Sequence, residues 1–212
     1  MVRVAAARLV VRELEPALWP DLERLFGAKG ACAGCWCMFW RLEKGERMDD
    51  AKGAPAKARF RALVERGEAH GILAYAGDEP VGWCSFERRV ELVKLDRAPS
   101  LACDDADRVW SLPCFFVKSG WRGKGVARAL LRGAMTALRA RGAEIAEAYP
   151  VKPTGAGTVP AAFAWTGVPA LFETEGFTVA GARPKGKQRY RKRLRAAARV
   201  STPAPRSRRP GT

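Results

Sequence analysis

The residues of this chain best arranged for chemistry are Phe115-Phe116-Val117-Lys118-Ser119-Gly120-Trp121-Arg122-Gly123-Lys124-Gly125-Val126-Ala127. An apolar, β-favouring run gives way to three glycines, after which Val126, Leu130, Ala134 and Leu138 recur at helical spacing. A strand that ends in glycines and reopens as a helix leaves the first helical amides pointing outward. Those amides and the helix dipole both favour phosphate-like oxygens. Arg122 and Lys124 add positive charge beside them.

Proton-transfer candidates are few. The strand over residues 109–118 carries no Asp or Glu. Glu147, flanked by Ala146 and Ala148 on the next strand, reads either as a general base facing a cleft or as a salt-bridged carboxylate. Tyr149 ends that strand and reads either as a proton donor or as an aromatic lining the cleft. His70, the only histidine, begins a strand far from the glycine loop and suits a surface or cap position.

Three of the six cysteines crowd into Cys32-x-x-Cys35-x-Cys37. Three thiolates fall one short of the four ligands that zinc normally takes, and no Cys or His follows at a partner spacing. The expectation is packing beside Trp36, Phe39 and Trp40, with no metal.

Around these residues the chain alternates strands and helices. Residues 9–13 read as a first strand, and Leu18, Leu22, Leu25 and Phe26 as a helix stopped by Gly27. Residues 30–41 have no period and read as a structured loop, and 55–65 as a second helix. Two strands, 71–76 and 81–87, flank the turn Gly77-Asp78-Glu79-Pro80. Residues 90–95 read as a short strand or an irregular excursion, and 98–107 as a surface loop.

Pro113 sits inside the strand at 109–118. Having no N–H to donate, it belongs at a bulge or an edge, and a bulge would splay this strand from its neighbour. A helix over 126–140, a strand over 144–151, a Gly/Thr/Pro loop, a short helix at 169–175 and strands at 177–180 and 188–194 complete the order. This is an α+β protein built round one strand–loop–helix unit.

With 212 residues, 48% of them hydrophobic, the chain can bury one sizeable core. No apolar run approaches the roughly 18–20 residues that cross a bilayer. Arg8 and Arg12 interrupt the first apolar stretch too early for a signal peptide, so a cytoplasmic location is expected. The net charge of +16 is uneven: residues 183–212 hold 12 Lys or Arg and no acid, whereas the first 182 balance at +4. Such a basic end reads as a solvated tail that could also meet nucleic acid without specificity.

The glycine loop resembles the pyrophosphate-binding motif of the GNAT superfamily of acyl-CoA-dependent N-acetyltransferases, Arg/Gln-x-x-Gly-x-Gly/Ala, with Arg122, Gly125 and Ala127 at its positions. Leu171-Phe172-Glu173-Thr174-Glu175-Gly176-Phe177 resembles the family's helix-to-strand ending. Cys35-Trp36-Cys37-Met38, Glu147-Ala148-Tyr149-Pro150 and Trp165-Thr166-Gly167 resemble a branch of the superfamily that implies no particular acceptor.

The resemblance implies a mixed, mostly antiparallel sheet flanked by helices, with its fourth and fifth strands splayed. It implies one domain over residues 1–195, followed by the basic tail at 196–212. It also implies acetyl-CoA as acyl donor, held by Phe116, Val117, Arg122, Gly123, Lys124, Gly125, Val126 and Ala127. Backbone amides near Phe116 and Val117 would polarise the thioester. Phe172 stands beside the cofactor where the family often has a tyrosine acid, which leaves Glu147 and Tyr149 as catalytic candidates. The aromatics Trp36 and Trp40 would line the acceptor site. The implied function is acetylation of a primary amine on a small molecule or peptide. A nucleic-acid-associated protein acceptor and a non-catalytic acyl-CoA sensor are the alternatives.

Overall fold

The computed structural model describes residues 8–152, 159–160, 163–181 and 186–194. Most of the Gly/Thr/Pro loop expected at 152–160 (residues 153–158) and the basic tail expected at 196–212 lie outside the described residues. Its strands are β1 (Leu9–Glu13), β2 (His70–Ala76), β3 (Glu79–Arg88), β4 (Val109–Val117), β5 (Ile145–Ala148), β6 (Val151–Lys152), β7 (Thr178–Gly181), β8 (Gly186–Lys187) and β9 (Arg189–Arg193). Its helices are α1 (Trp19–Phe26), α2 (Met48–Ala51), α3 (Ala54–Glu65), α4 (Val126–Ala140) and α5 (Pro169–Glu173).

Seven strands form one sheet in the order β1-β2-β3-β4-β5-β9-β7, and β6 pairs with β8 separately. Only β4 and β5 run parallel; the other pairs are antiparallel. This is the expected mixed α+β sheet. Its spatial order could not be read from the sequence, because β9, the last strand, inserts between β5 and β7.

α4 covers one face. Its apolar stripe of Val126, Leu130, Leu131, Ala134 and Leu138 is almost wholly buried against Ile72, Val81, Phe86, Leu112 and Phe115. A side chain at Gly82 would lie 2.5 Å from Val126, so this glycine lets the start of α4 come close to β3. On the opposite face, Leu22, Leu25 and Phe26 of α1 and Phe60 and Val64 of α3 bury Leu73, Tyr75 and Trp83.

Residues 89–108, between β3 and β4, fold over the remainder of that second face. They contain short helical turns rather than a strand. Leu92, Leu95 and Leu101 anchor the excursion against Trp40 and Tyr149.

Candidate active site

The fourth strand is irregular at Pro113. Ser85 of β3 faces Cys114 of β4, but Glu87 faces Ser111, so Leu112 and Pro113 together oppose Phe86. That extra residue is a β-bulge. Pairing with β5 runs from Val109↔Ile145 to Leu112↔Ala148 and ends there. Beyond the bulge, residues 113–117 are held by β3 on one edge, while no described strand pairs with the other. The proline removes a donor at the point where the two parallel strands separate.

This strand-free edge, beside which the turn Ala164–Thr166 packs, leads directly into the glycine loop. Gly123 and Gly125 have φ of 73° and 81°, a region that L side chains rarely enter, and at both a Cβ would point into open space. Gly125 caps α4 in the left-handed conformation, and the first helical bond runs from Ala129 N to Gly125 O at 3.0 Å. The amides of Val126, Ala127 and Arg128 therefore lack helical acceptors. Arg122 Nε donates to Val117 O at 3.3 Å, folding the basic loop back on the strand end, and Lys124 Nζ lies 5.0 Å from the Trp121 ring. Free amides, exposed glycines and exposed cations meet at one helix start, a combination suited to a diphosphate.

At the other end of the open edge stands an aromatic wall. Trp40 Nε1 donates to Pro113 O at 3.2 Å, so the indole is pinned to the bulge itself. Its ring lies 5.7 Å from Trp165 and 4.9 Å from Phe39, with Tyr149 at 6.2 Å. Trp36 sits elsewhere: it stacks on Trp19 at 5.8 Å and is buried among the helices of the α1 layer. Of the two tryptophans expected at the acceptor site, only Trp40 touches the bulge.

Below the wall a row of polar side chains crosses the sheet. The registers align Glu87, Ser111, Glu147, Arg191 and Thr178 on adjacent strands. Glu147 is fully buried. Its Oε2 accepts from Arg191 Nε at 2.5 Å, with Arg189 Nε at 3.7 Å, and its Oε1 lies 3.4 Å from Arg89 Nε. Tyr149, also fully buried, donates to Glu147 Oε1 at 2.8 Å and lies 2.7 Å from Ser111 Oγ. Burial, reinforced by the Glu147 carboxylate, pushes the Tyr149 phenol well above its ordinary range.

These geometries alter the expected roles. Glu147 is shared by three arginines, two of which also hold Asp96 and Asp105, and it is buried on every side. Tyr149 keeps its proton and spends it on Glu147. Phe172, expected beside the cofactor, is fully buried between Phe115 at 5.8 Å and Phe177 at 5.4 Å. There it serves the α4 core, because an apolar ring in this position has nothing to gain from the cleft. Arg89, Asp105 and Arg191, which complete the network, stand out by no local motif; their only signal was charge next to apolar residues.

The cysteine loop packs against the same strand. Trp83 Nε1 donates to Cys37 Sγ at 3.2 Å. A hydrogen bond from the Cys114 thiol holds Cys37 below the ordinary thiol range against burial, and the same contact pushes Cys114 well up. Burial raises Cys35 to about 12. Among the described residues no group of His, Cys, Asp or Glu is arranged to hold a metal. The loop carries four non-glycine residues at positive φ: Ala31, Ala33, Trp36 and Cys37.

A sequence profile for the acetyltransferase (GNAT) family matches residues 35–156, more than half of the chain. The chain belongs to the GNAT acetyltransferase family. The matched span includes the bulged strand, the glycine loop and α4, the elements that carry the geometry above. Members of this family take their acetyl group from acetyl-CoA.

Solved GNAT structures share the fold at low sequence identity. The PaiA N-acetyltransferase of Thermoplasma acidophilum, in complex with coenzyme A, is 13% identical with a TM-score of 0.53, over 88% of this chain and 99% of its own. YncA, a putative acetyltransferase of Salmonella typhimurium with its cofactor acetyl-CoA, is 15% identical with a TM-score of 0.51, over 90% and 96%. The ribosomal-protein-S5-alanine acetyltransferase of Vibrio fischeri is 12% identical with a TM-score of 0.52, over 87% and 92%. No curated protein sequence matches this GNAT chain significantly. Among the described residues no helix is long and apolar enough to cross a membrane.

Proposed function

We propose that this chain transfers an acetyl group from acetyl-CoA to a primary amine of a small molecule or peptide. The observation that carries the reading is one continuous track. The unpaired edge of residues 113–117 runs from the Trp40 wall at the bulge to the free amides at the start of α4. Arg122, Gly123, Lys124, Gly125, Val126 and Ala127 would hold the diphosphate. The backbone at Phe116 and Val117 would hold the acyl arm, since an unpaired strand edge offers amides that need acceptors. A free amine arriving beside Trp40 would attack the thioester carbonyl, the C–S bond would break with coenzyme A leaving as its thiolate, and the proton lost from the new amide nitrogen would pass to that thiolate or to water.

Glu147 and Tyr149 enter this scheme as positioning residues. They fix the end of β5 and the underside of the Trp40 wall, and neither exchanges a proton with the acceptor. The buried arginine–glutamate network ties β5 to β9 beside the point where β4 and β5 part.

Coenzyme A release from acetyl-CoA, followed across a panel of primary amines, tests the proposal. Amine-dependent release above the buffer rate is expected. Binding of acetyl-CoA without release for any amine would favour a non-catalytic acyl-CoA sensor, and absence of binding would remove both readings.

A further inference from the structure

The aromatic wall carries a charge pattern that acetyl transfer by itself does not require. Lys187 on β8 holds its Nζ 4.9 Å from the Trp165 ring and 5.9 Å from Trp40. Lys94, from the excursion after β3, holds its Nζ 3.7 Å from the Phe39 ring. Phe39 and Trp165 are themselves in edge contact at 5.4 Å, so the two ammonium groups flank one aromatic pair.

Neither lysine has a carboxylate. All 22 Asp and Glu residues lie in the described segments, and none pairs with Lys94 or Lys187. Elsewhere acids are close at hand: Lys118 pairs with Glu79 at 2.5 Å and Lys57 with Glu23 at 2.5 Å. Both unpaired lysines are partly buried, and burial draws each below the ordinary lysine range, with Arg97 adding repulsion at Lys94.

An ammonium group removed from water and given only a ring face is under-compensated. A cation–π contact compensates a desolvated ammonium less than an opposite charge at ion-pair distance does. The complement to such a site is an anion.

We propose that Lys187 and Lys94 form an anion-binding subsite on the Phe39–Trp165 pair, one indole away from the β4 bulge. The amine acetylated at the bulge therefore also carries an anionic group, a carboxylate or a phosphate. That the ligand is also the amine acetylated rests on the acetyltransferase reading; the anion site does not. A substrate that enters with its anion on the lysines turns its amine toward the Trp40 edge and Pro113.

The test has a binding arm and a turnover arm, both with the full-length protein. Phenylacetate, phenyl phosphate and neutral benzyl alcohol are titrated in the presence of coenzyme A, with tryptophan fluorescence as readout. At least one anion is expected to bind about tenfold or more tightly than benzyl alcohol, and Lys187→Gln to abolish that preference while Lys187→Arg retains it. Which anion binds better names the group. Equal binding of the neutral compound, or a preference untouched by Lys187→Gln in a protein that still melts cooperatively, would overturn the subsite.

In the turnover arm, coenzyme A release is compared for phenylalanine and for its decarboxylated counterpart, phenethylamine. The anionic amine should show the lower KM when carboxylate is the better anion, and Lys187→Gln should raise that KM. If no amine is acetylated but lysine-dependent anion binding persists, the anion site stands and the transfer reading fails.

Discussion

The hydroxyl of Tyr149 donates to Oε1 of Glu147 at 2.8 Å, with Ser111 Oγ at 2.7 Å on its other side. Both residues are fully buried, two positions apart on the edge that separates from β4. The phenol and the carboxylate satisfy each other, and neither points to solvent. The enclosed pair sits at the end of β5. We propose that it serves structure rather than relaying protons to a substrate.

Replacement of Glu147 by Gln should therefore be felt first in stability. It removes the charge that faces Arg89, Arg189 and Arg191 while leaving those cations buried or half-buried. Breaking a buried pair from one side costs about 3–5 kcal/mol. Urea unfolding checks this. A variant as stable as the parent but slow in turnover would return Glu147 to the role of general base.

Tyr149→Phe keeps the ring against Trp40 and deletes two hydrogen bonds. The expected loss is about 1–3 kcal/mol, since a bond to a charged carboxylate is worth more than a neutral one. Turnover should fall only as far as the wall loosens. A drop of several hundredfold with stability intact would instead mark the phenol as an acid.

The native protein should show no tyrosine ionisation near pH 10, the ordinary value. All three tyrosines are raised: Tyr149 well above that range, Tyr75 by burial and its bond to Asp21, and Tyr190 by burial and Glu173 to about 12. A group whose folded value is raised contributes stability that is complete below its unfolded value and declines as pH rises past it. Tyrosinate absorbance should accordingly appear together with alkaline unfolding. A separate, earlier titration would contradict the burial of these phenols.

On the acid side, Asp105 should matter. The Arg191 guanidinium grips it through two 2.8 Å bonds and holds its carboxyl down to about 2. Its contribution is present above the unfolded value of about 4 and is lost as pH falls toward 2. Asp105→Asn should flatten the stability profile in that window and change little near neutrality beyond about 1 kcal/mol. Melting temperature against pH provides the comparison.

Acetyl-CoA at about one hundred times its Kd should stabilise the protein by roughly 2.7 kcal/mol, and Gly125→Asp should abolish that gain. The substitution places a carboxylate where the free amides of α4 face outward, at a φ of 81°. Equal ligand-induced shifts in both proteins would move the diphosphate away from this loop. Gly82→Ala acts at a distance from the loop: its Cβ would meet the Val126 side chain at 2.5 Å, so that side chain or the start of α4 must give, and acetyl-CoA should bind more weakly.

Much of this was written locally. Three glycines after an apolar strand and a periodic helix specify a loop and an exposed helix start, and a proline at position 113 marks either a bulge or an edge, because each depends on backbone geometry within a few residues. The partners of Glu147 were not written that way. Arg191 lies 44 positions from it and meets it only because β9 enters the sheet between β5 and β7. Strand order depends on which edge buries more surface once the chain has closed on itself, and single-strand patterns do not encode that choice. The same closure set Trp40 rather than Trp36 against Pro113, and turned Phe172 into core. It left two lysines without carboxylates. The sequence by itself determined a GNAT-like loop and the helix it opens; the tertiary structure decided which charges are buried together.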